Sequence, residues 1–411
     1  MHSSILRFSY SALEELYSFA DNWKAMRKNR YCPLFGRCGG CEYVNEQYED
    51  EILDKYLKER KILSHFGEVY PVIEAKHTMG YRTKIQAVCG YDRDGKFTTG
   101  IYRRGTHKLI PVRSCILEDG RATAILQTVR QLANRFGITA YDEDEQKGDL
   151  RHILIRLGYN TREILVVLVA GRKDFPHKTD FVAALHQKHP DIVTITEVIN
   201  TEKTSMVIPE NPEVSVLYGK GYIIDKLCGL DFRISSTSFY QVNPEMTEVL
   251  YRVAMNMAQL KEDDVVIDAY CGTGTIGLIA ASYGISKLIG IEANGNAVAD
   301  AKLNAVNNGI ENAEFITADA AKYLKSAVKE GLRASVLFMD PPRAGSSEEF
   351  LAAAGKTDAD VIVYISCNPE TLGRDLRYIT RFLPYTVRGI QPVDLFPGGE
   401  FVETVVLLYH K

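Results

Sequence analysis

The stretch VVIDAYCGTGTIGLIA, residues 265–280, decides the fold class of this chain. An apolar run leads directly into glycines at positions 272, 274 and 277, in the spacing G-x-G-x-x-G, and a second apolar run follows. A strand that ends in a glycine-rich loop and continues as a helix is the opening unit of a doubly wound α/β fold. The residues around it therefore have to supply the other strands of one sheet.

Six more strand-like runs follow this loop. Together with VVIDAY they are KLIGIEA, AEFITAD, SVLFMD, VIVYISC, TVRGIQPVDLF and FVETVVLLYH. The first five of the seven are short and apolar throughout, which is typical of parallel strands covered on both faces. Helical segments separate them, as a doubly wound sheet requires. We therefore predict a Rossmann-like sheet of seven strands that ends in a hairpin.

The chain before residue 235 has a different rhythm. Short alternating strands predict a mostly antiparallel α+β domain, in the runs KIQAVCGYD, HILIRLGYN, EILVVLVAG, DIVTITEVIN and TSMVIP. Two amphipathic helices are predicted before it, one within the first thirty residues and one over NEQYEDEILDKYLKERKILSHFG. The expected units are a helical extension over 1–30, a central domain over 31–234 and the Rossmann-like domain over 235–411.

Composition and charge narrow the function class. Of the 411 residues 45% are hydrophobic and 25% are charged, and no apolar run approaches the ~18 residues of a membrane span, so a cytoplasmic enzyme is expected. The net charge of −4 argues weakly against nucleic acid, but basic runs with interleaved tyrosines favour a polyanion surface. A solvated face is the alternative for each run. The runs are KAMRKNR (24–30), YRTK (81–84) and GIYRRGTHKLIPVR (100–113).

Three of the eight cysteines lie in CPLFGRCGGC, residues 32–41, namely Cys32, Cys38 and Cys41. In a reducing compartment, such a group is more often a metal site than a set of disulfides. Thiolate ligands suit both tetrahedral zinc and an iron–sulfur cluster. The spacing alone does not choose between them.

Carboxylates at the strand ends distinguish two cofactors for the glycine loop. A dinucleotide lays its pyrophosphate on the helix N-terminus, where Asp268 at the preceding strand end would repel it. The same carboxylate suits the ammonium and sulfonium groups of S-adenosylmethionine. Glu292 can accept hydrogen bonds from both ribose hydroxyls with either cofactor, and Asp319 can accept a hydrogen bond from the adenine amino group. S-adenosylmethionine is therefore favoured over a nicotinamide dinucleotide.

The fourth and fifth strands end in FMDPPRAG and YISCNPETLGRDL, which aim Asp340 and Cys367 at one crevice. A thiol there suits a carbon acceptor such as pyrimidine C5, which has to be activated by a nucleophile at C6 and later deprotonated by a base. Glu403 in GGEFVETVVLL is the candidate base, with a solvent-facing strand glutamate as the alternative. For Cys367 the alternative is a small buried residue.

Together these motifs resemble the iron–sulfur uracil-C5 RNA methyltransferases, which have a Rossmann-like methyltransferase sheet and make 5-methyluridine in ribosomal or transfer RNA. The similarity runs from residue 31 to 411. It implies methyl transfer from S-adenosylmethionine to C5 of a uridine through a covalent adduct, with Cys367 as the nucleophile and Glu403 as the base. The favoured target is 23S ribosomal RNA, and uridine 54 of transfer RNA is the alternative. A monomer that binds RNA and no membrane is expected.

The resemblance also implies a set of ligand-binding residues. THKLIPVRSC is similar to the segment that carries a fourth cysteine, so Cys32, Cys38, Cys41 and Cys115 would hold a [4Fe–4S] cluster. The residues that bind S-adenosylmethionine would be Gln241 from SFYQVNPEM, Tyr270 and Thr275 from the glycine loop, Glu292 from GIEAN, Asp319 from TAD and Asp340 from DPPRAG.

Two features depart from that family. Gly399 and Phe401 occupy positions that usually hold threonine and histidine, which affects how the target base is positioned. An N-terminal RNA-binding barrel is not expected, so the central domain and its basic runs would bind RNA. The other interpretations are a nicotinamide-dependent oxidoreductase with the same glycine loop and an RNA-binding module without catalysis.

Overall fold

The computed structural model describes residues 30–204, 206–209 and 212–411, and the helix predicted before them lies outside the described residues. The helices are α1 (Tyr48–Leu63), α2 (Gly120–Phe136), α3 (Lys178–Lys188), α4 (Pro244–Ala258), α5 (Thr275–Ala281), α6 (Gly295–Asn307), α7 (Ala320–Lys329), α8 (Glu348–Gly355) and α9 (Pro369–Phe382). The strands are β1 (Lys84–Tyr91), β2 (Phe97–Tyr102), β3 (Leu109–Pro111), β4 (Leu150–Leu157), β5 (Ile164–Ala170), β6 (Ile192–Ile199), β7 (Val214–Gly219), β8 (Tyr222–Leu227), β9 (Leu230–Ser235), β10 (Val265–Ala269), β11 (Lys287–Glu292), β12 (Ala313–Thr317), β13 (Val336–Met339), β14 (Val361–Ser366), β15 (Tyr385–Val393) and β16 (Glu403–His410).

The C-terminal sheet has the strand order β12-β11-β10-β13-β14-β16-β15. The first five of these strands are parallel, and β16 runs antiparallel to both of its neighbours. The predicted seven strands with a closing hairpin are confirmed. Successive residues of β10 point to opposite faces of this sheet. Val266 packs into the hydrophobic core on one face, and Ile267 packs into the core on the other face. Burial on both faces explains the apolar runs, and the parallel strands end at one common edge.

A second sheet of seven strands precedes it, in the order β3-β2-β1-β4-β5-β6-β7. All its neighbours are antiparallel except β5 and β6. Helices α2 and α3 contribute Leu132 and Leu185 to its core. The strand predicted in TSMVIP is wrong, because the described residues of that run have no regular structure and the strand there is β7.

Helix α1 lies within the range predicted as the central domain, yet it packs on the C-terminal sheet. A Cβ added at Gly373 of α9 would lie 3.1 Å from Ile62 of α1, so these helices are in close contact. The chain after α1 then forms a parallel bridge between Ile73 and Val393 of β15. The segment that follows the cysteines therefore forms part of the support of the C-terminal sheet. Among the described residues, no helix combines the length and apolarity that crossing a membrane requires.

Candidate active site

The glycine loop joins β10 to α5 and needs glycine for two reasons. Gly272 and Gly274 have φ angles of +55° and +81°, in the left-handed region that favours glycine. A Cβ on Gly277 would lie 2.9 Å from Oδ2 of Asp268, so the helix approaches the strand closely. The amide of Gly277 donates a hydrogen bond of 2.8 Å to that oxygen. The loop is thereby fixed over the carboxyl end of β10.

A narrow cleft with a cavity volume of about 40 Å³ opens at this edge of the sheet. Four of the predicted cofactor-binding residues line it, namely Gln241, Tyr270, Thr275 and Asp340. They come from the loop before α4, the glycine loop, the start of α5 and the end of β13, so only the folded chain brings them together. The other lining residues are Leu227, Phe239, Tyr240, Tyr251, Cys271, Gly272, Thr273 and Ile276.

Glu292 and Asp319 stand at neighbouring strand ends but do not line this cleft. Glu292 accepts hydrogen bonds from the amides of Gly272 and Asn294, at 3.1 and 2.8 Å. Asp319 caps α7 and faces Tyr270, whose pKa is raised by burial and, to a smaller extent, by the Asp319 carboxylate. Both carboxylates thus lie at the rim, beside Gly272 and Tyr270, which line the cleft.

Asp268 lies behind the glycine loop and not in the cleft, which differs from the prediction. It is fully buried, and its Oδ2 accepts the hydrogen bond from Gly277, while its Oδ1 has no partner among the described residues. Burial, with the charges of Asp340 and Glu292, raises its pKa to about 8. Its side chain therefore supports the loop from within the core.

Cys367 and Glu403 come together across two neighbouring strands. β14 and β16 are antiparallel with Ser366 opposite Thr404, and Cys367 and Glu403 are the residues that directly adjoin this pair. Burial raises the pKa of the Cys367 thiol to about 11, and the Glu403 carboxylate also raises it. The two side chains therefore share one environment at the tip of β14, beside the cleft that Asp340 lines.

Two carboxyl groups and one cation surround the sulfur. Burial raises the pKa of Asp340 to about 7 and that of Glu403 well above its usual range. Both carboxylates oppose ionisation of the Cys367 thiol, whereas the Arg343 guanidinium favours it. A bound cation would stabilise all the ionised forms. A thiol, two carboxyl groups and one guanidinium therefore lie together at this edge of the sheet.

Residues 216–411 match the family described as tRNA (Uracil-5-)-methyltransferase. A Clostridium tetani protein named as an uncharacterized RNA methyltransferase is 37% identical over 381 residues, which are 92% of this chain and 82% of the relative. The chain belongs to the uracil-C5 RNA methyltransferase family. A Halalkalibacterium halodurans protein, also named as an uncharacterized RNA methyltransferase, is 37% identical over 385 residues, 92% of this chain and 83% of the relative.

The likeness to a solved structure extends beyond the matched domain. The crystal structure of Pyrococcus abyssi tRNA (uracil-54, C5)-methyltransferase in complex with S-adenosyl-L-homocysteine has a TM-score of 0.75 and 25% identity, covering 93% of this chain and 88% of that one. Our chain is therefore an S-adenosylmethionine-dependent RNA methyltransferase. The interpretation as a nicotinamide-dependent oxidoreductase is wrong.

Sequence reasoning missed one residue of the cleft, Tyr251, and one contact beside it, between Arg343 and Phe401. Tyr251 lines the cleft, with its hydroxyl 3.4 Å from Oγ1 of Thr275, but in the sequence it is one more apolar residue of an amphipathic helix. The guanidinium of Arg343 lies 4.3 Å from the ring centroid of Phe401, which stands where the family usually has histidine. The motif DPPRAG and the unusual Phe401 were both visible, but their contact depends on the fold.

The four cysteines predicted to hold a cluster are partly buried. Burial raises the pKa of the Cys41 thiol to about 12, and the thiols of Cys115, Cys38 and Cys32 add to the shift, so the four sulfurs share one electrostatic neighbourhood. An all-thiolate set is chemically suited to a [4Fe–4S] cluster. Within the described part of the chain, no group of three or more His, Cys, Asp or Glu side chains has the arrangement of a metal-ion site. The cluster stays a prediction for this methyltransferase.

The basic runs differ in exposure. Arg82 and Lys84 of the YRTK run are half-buried, whereas Arg103, Arg104 and Lys108 are exposed between β2 and β3. Arg104 forms an ion pair of 3.0 Å with Glu42, which joins this turn to the cysteine segment. Residues 24–29 lie outside the described residues. The run over 100–113 therefore contributes to a basic surface, and the run over 81–84 contributes little.

Proposed function

We propose that this enzyme transfers a methyl group from S-adenosylmethionine to C5 of an RNA uridine through a covalent adduct between Cys367 and C6. The observation that carries the proposal is that Cys367 and Glu403 adjoin the paired residues Ser366 and Thr404 of β14 and β16, and that the Glu403 and Asp340 carboxylates both act on the Cys367 thiol. In this proposal, residues 235–411 catalyse the reaction, residues 31–234 bind RNA, and residues 1–30 are an extension.

The chemistry divides between the two side chains. The Cys367 thiolate attacks C6, and the electron pair of the C5=C6 bond makes C5 nucleophilic. When bound, S-adenosylmethionine supplies the methyl group that C5 takes up, and S-adenosylhomocysteine is left. Glu403 then removes the C5 proton, and the electron pair of that C–H bond re-forms the double bond as the C6–S bond breaks. The thiolate is regenerated, and Glu403 passes its proton to solvent.

We infer that Gln241, Tyr270, Thr275 and Asp340 bind S-adenosylmethionine in the cleft, with Glu292 and Asp319 at the rim. The raised pKa of Asp340, which burial causes, supports this inference, because the ionised form of a buried carboxyl group gains from a sulfonium nearby and would repel a pyrophosphate. Calorimetric titration of the protein with S-adenosylmethionine measures this binding directly. Substituting Asp340 by Asn should weaken it.

For the RNA target we propose 23S ribosomal RNA, with uridine 54 of transfer RNA as the second candidate. The second is favoured by the Pyrococcus abyssi neighbour, which acts on uridine 54 of transfer RNA. The exposed Arg103, Arg104 and Lys108 offer cationic contacts for either phosphate backbone. Methylation of the two RNAs, each transcribed without modifications and assayed in parallel, distinguishes them.

We also propose that Cys32, Cys38, Cys41 and Cys115 hold a [4Fe–4S] cluster. The support is the all-thiolate donor set and the mutual effect of the four thiols on one pKa. Protein purified without oxygen should contain about four iron atoms per chain, and a Cys115→Ser variant should lose them. Zinc in place of iron would contradict the cluster and support a tetrahedral site.

The release of tritium from RNA labelled at C5 of uridine tests the proposed reaction, because the C5 proton leaves only when methylation is completed. Cys367→Ala should release none while it still binds S-adenosylmethionine. Appreciable turnover by that variant would exclude the covalent mechanism. Cys228→Ala, a partly buried cysteine outside the site, is the matched control and should retain activity.

A further inference from the structure

Residues 394–402, which we call the base loop, join β15 to β16 and lead directly into Glu403. The loop has no helix or strand, and four of its first five residues are buried. Buried backbone groups and charges without partners cost free energy, so such a loop needs a partner for each of them. The partners therefore identify what holds the loop in place.

The first partner is a buried lysine of α1. Nζ of Lys55 lies 2.7 Å from Oδ1 of Asp394, 3.2 Å from the carbonyl oxygen of Phe396 and 2.6 Å from Oε1 of Glu51. That same Oε1 of Glu51 accepts a hydrogen bond of 2.7 Å from the amide of Gly398. The side chains of Lys55, Glu51 and Asp394 have no exposed surface. One ammonium group and one carboxylate thus hold three residues of the base loop.

The second set of partners comes from the cysteine segment and the chain after α1. The carbonyl of Gly398 accepts hydrogen bonds from the amides of Glu42 and Tyr43, at 2.9 and 3.0 Å. The carbonyl of Pro397 accepts a hydrogen bond of 2.9 Å from the hydroxyl of Tyr81. Outside these segments, Asn243 donates to the carbonyl of Leu395 at 3.0 Å. Most of the bonds that hold the loop therefore come from residues 42–81.

A buried ammonium group is a costly way to cover a loop. Its desolvation is offset only by well-placed acceptors, whereas an apolar side chain of similar length would cover the loop without that penalty. Two of the three acceptors of Lys55 lie in the base loop and the third lies one turn away in α1, so all three are satisfied together only when the loop is in place against the helix. Such a contact selects a position for the loop more than it adds stability.

We propose that residues 42–81 form a clamp on the base loop, in which Lys55 and Tyr81 are positioning residues that determine where Glu403 meets the C5 proton. The inference rests on the proposed role of Glu403 as the base. It also gives the cysteine segment a role without electron transfer. The amides of Glu42 and Tyr43 follow Cys41 directly, so whatever holds Cys41 in place also holds Gly398.

Tyr81→Phe tests the clamp with the smallest change, because it removes only the hydroxyl that donates to Pro397. Tyr385→Phe is the matched control, since it removes a buried hydroxyl that donates at 2.9 Å to the carbonyl of Ala359, away from the base loop. Both variants are assayed with RNA for tritium release, for covalent protein–RNA complex on denaturing gels, and for binding of S-adenosylmethionine. Lys55→Met is a second variant, and thermal unfolding checks that each protein is folded.

Tyr81→Phe and Lys55→Met should slow tritium release about tenfold, because a small displacement of a catalytic group has large effects on rate. Covalent complex should accumulate in both, since attack by Cys367 is intact and only proton removal is slowed. Binding of S-adenosylmethionine should not change, and Tyr385→Phe should behave as the wild type. If Tyr81→Phe behaves like Tyr385→Phe while Glu403→Gln traps RNA, the clamp is wrong and Glu403 is still the base. If Glu403→Gln traps nothing, the proposed mechanism itself fails.

Discussion

The carboxylate of Glu59 in α1 accepts a hydrogen bond of 2.9 Å from the hydroxyl of Thr404, the residue next to Glu403. Neighbouring side chains of a strand point to opposite faces, so α1 holds β16 on the face away from Glu403. On the side toward β14, the pairing of Thr404 with Ser366 fixes the position of Glu403 along the strand relative to Cys367. A helix and a strand therefore fix the position of the proposed base together.

Glu403→Gln should convert the enzyme into one that retains its RNA covalently. The amide cannot accept the C5 proton, so elimination stalls after methyl transfer and turnover falls by about a hundredfold or more. A complex of protein and RNA that survives denaturation is the measurement. Glu400→Gln in the same loop is the control and should form no lasting complex. Rapid turnover without an adduct in Glu403→Gln would exclude this residue as the base.

The charge of the bound cofactor should activate Cys367. In the free protein burial and the neighbouring carboxylates raise the pKa of the thiol to about 11, so it is protonated at neutral pH. S-adenosylmethionine brings a positive sulfonium, whereas S-adenosylhomocysteine has almost the same shape without the charge. We expect faster alkylation of Cys367 near neutral pH with the first ligand only, measured by peptide mass spectrometry against Cys367→Ala. Equal rates with both ligands would contradict this electrostatic activation.

The ligand-free protein should lose stability as the pH rises from about 5 to about 8. The pKa values of Asp340 and Asp268 in the folded state, about 7 and about 8, lie above their ordinary value of 3.8. Within this window the folded state binds protons that the unfolded chain has released, so the free energy of unfolding decreases with pH. The decrease should reach at least about 1.4 kcal/mol, the equivalent of one pKa unit. Urea unfolding at several pH values measures it.

Asp268→Asn provides the control for that experiment. It removes one of the buried carboxyl groups whose pKa is raised and keeps the acceptor for the amide of Gly277, so the dependence of unfolding free energy on pH should become flatter. A protein whose stability rises with pH over the same window would contradict the raised pKa values.

The main effect of Gly274→Ala should be the loss of cofactor binding, and its effect on the stability of the fold should be smaller. Its φ of +81° disfavours alanine, and the added Cβ would lie 3.0 Å from the ring of Phe315. Gly309 has a φ of +66° with open space around it, so Gly309→Ala shows the backbone strain alone, about 1 kcal/mol. Binding of S-adenosylmethionine and thermal unfolding are measured for both variants. Normal binding by Gly274→Ala would show that the glycine loop tolerates displacement.

The architecture of the C-terminal sheet could be predicted because burial on both faces leaves uninterrupted apolar runs such as VLFM of β13. The location of Asp268 could not, because a single polar residue at a strand end gives no sign of which side the following helix covers. TSMVIP looked like a strand because its composition is apolar. β7 was missed because it is an edge strand in which exposed residues alternate with partly buried ones.

The pairing of active-site residues depends on contacts that no local pattern contains. Lys55 and Asp394 are 339 positions apart, and in the sequence each is an ordinary charged residue. Cys367 and Glu403 were recognised separately from the chemistry they could perform, but their proximity depends on the pairing of Ser366 with Thr404 next to them. The stacking of Arg343 on Phe401 likewise appears only when the two loops are adjacent.

The bond between Lys55 and Asp394 also bears on biosynthesis. A ribosome releases the partners of this bond 339 residues apart, so Lys55 has only its helix neighbour Glu51 as an acceptor within this contact until the late loop has emerged. Catalytic competence is then one of the last properties that the nascent chain acquires, and interrupted translation yields inactive products.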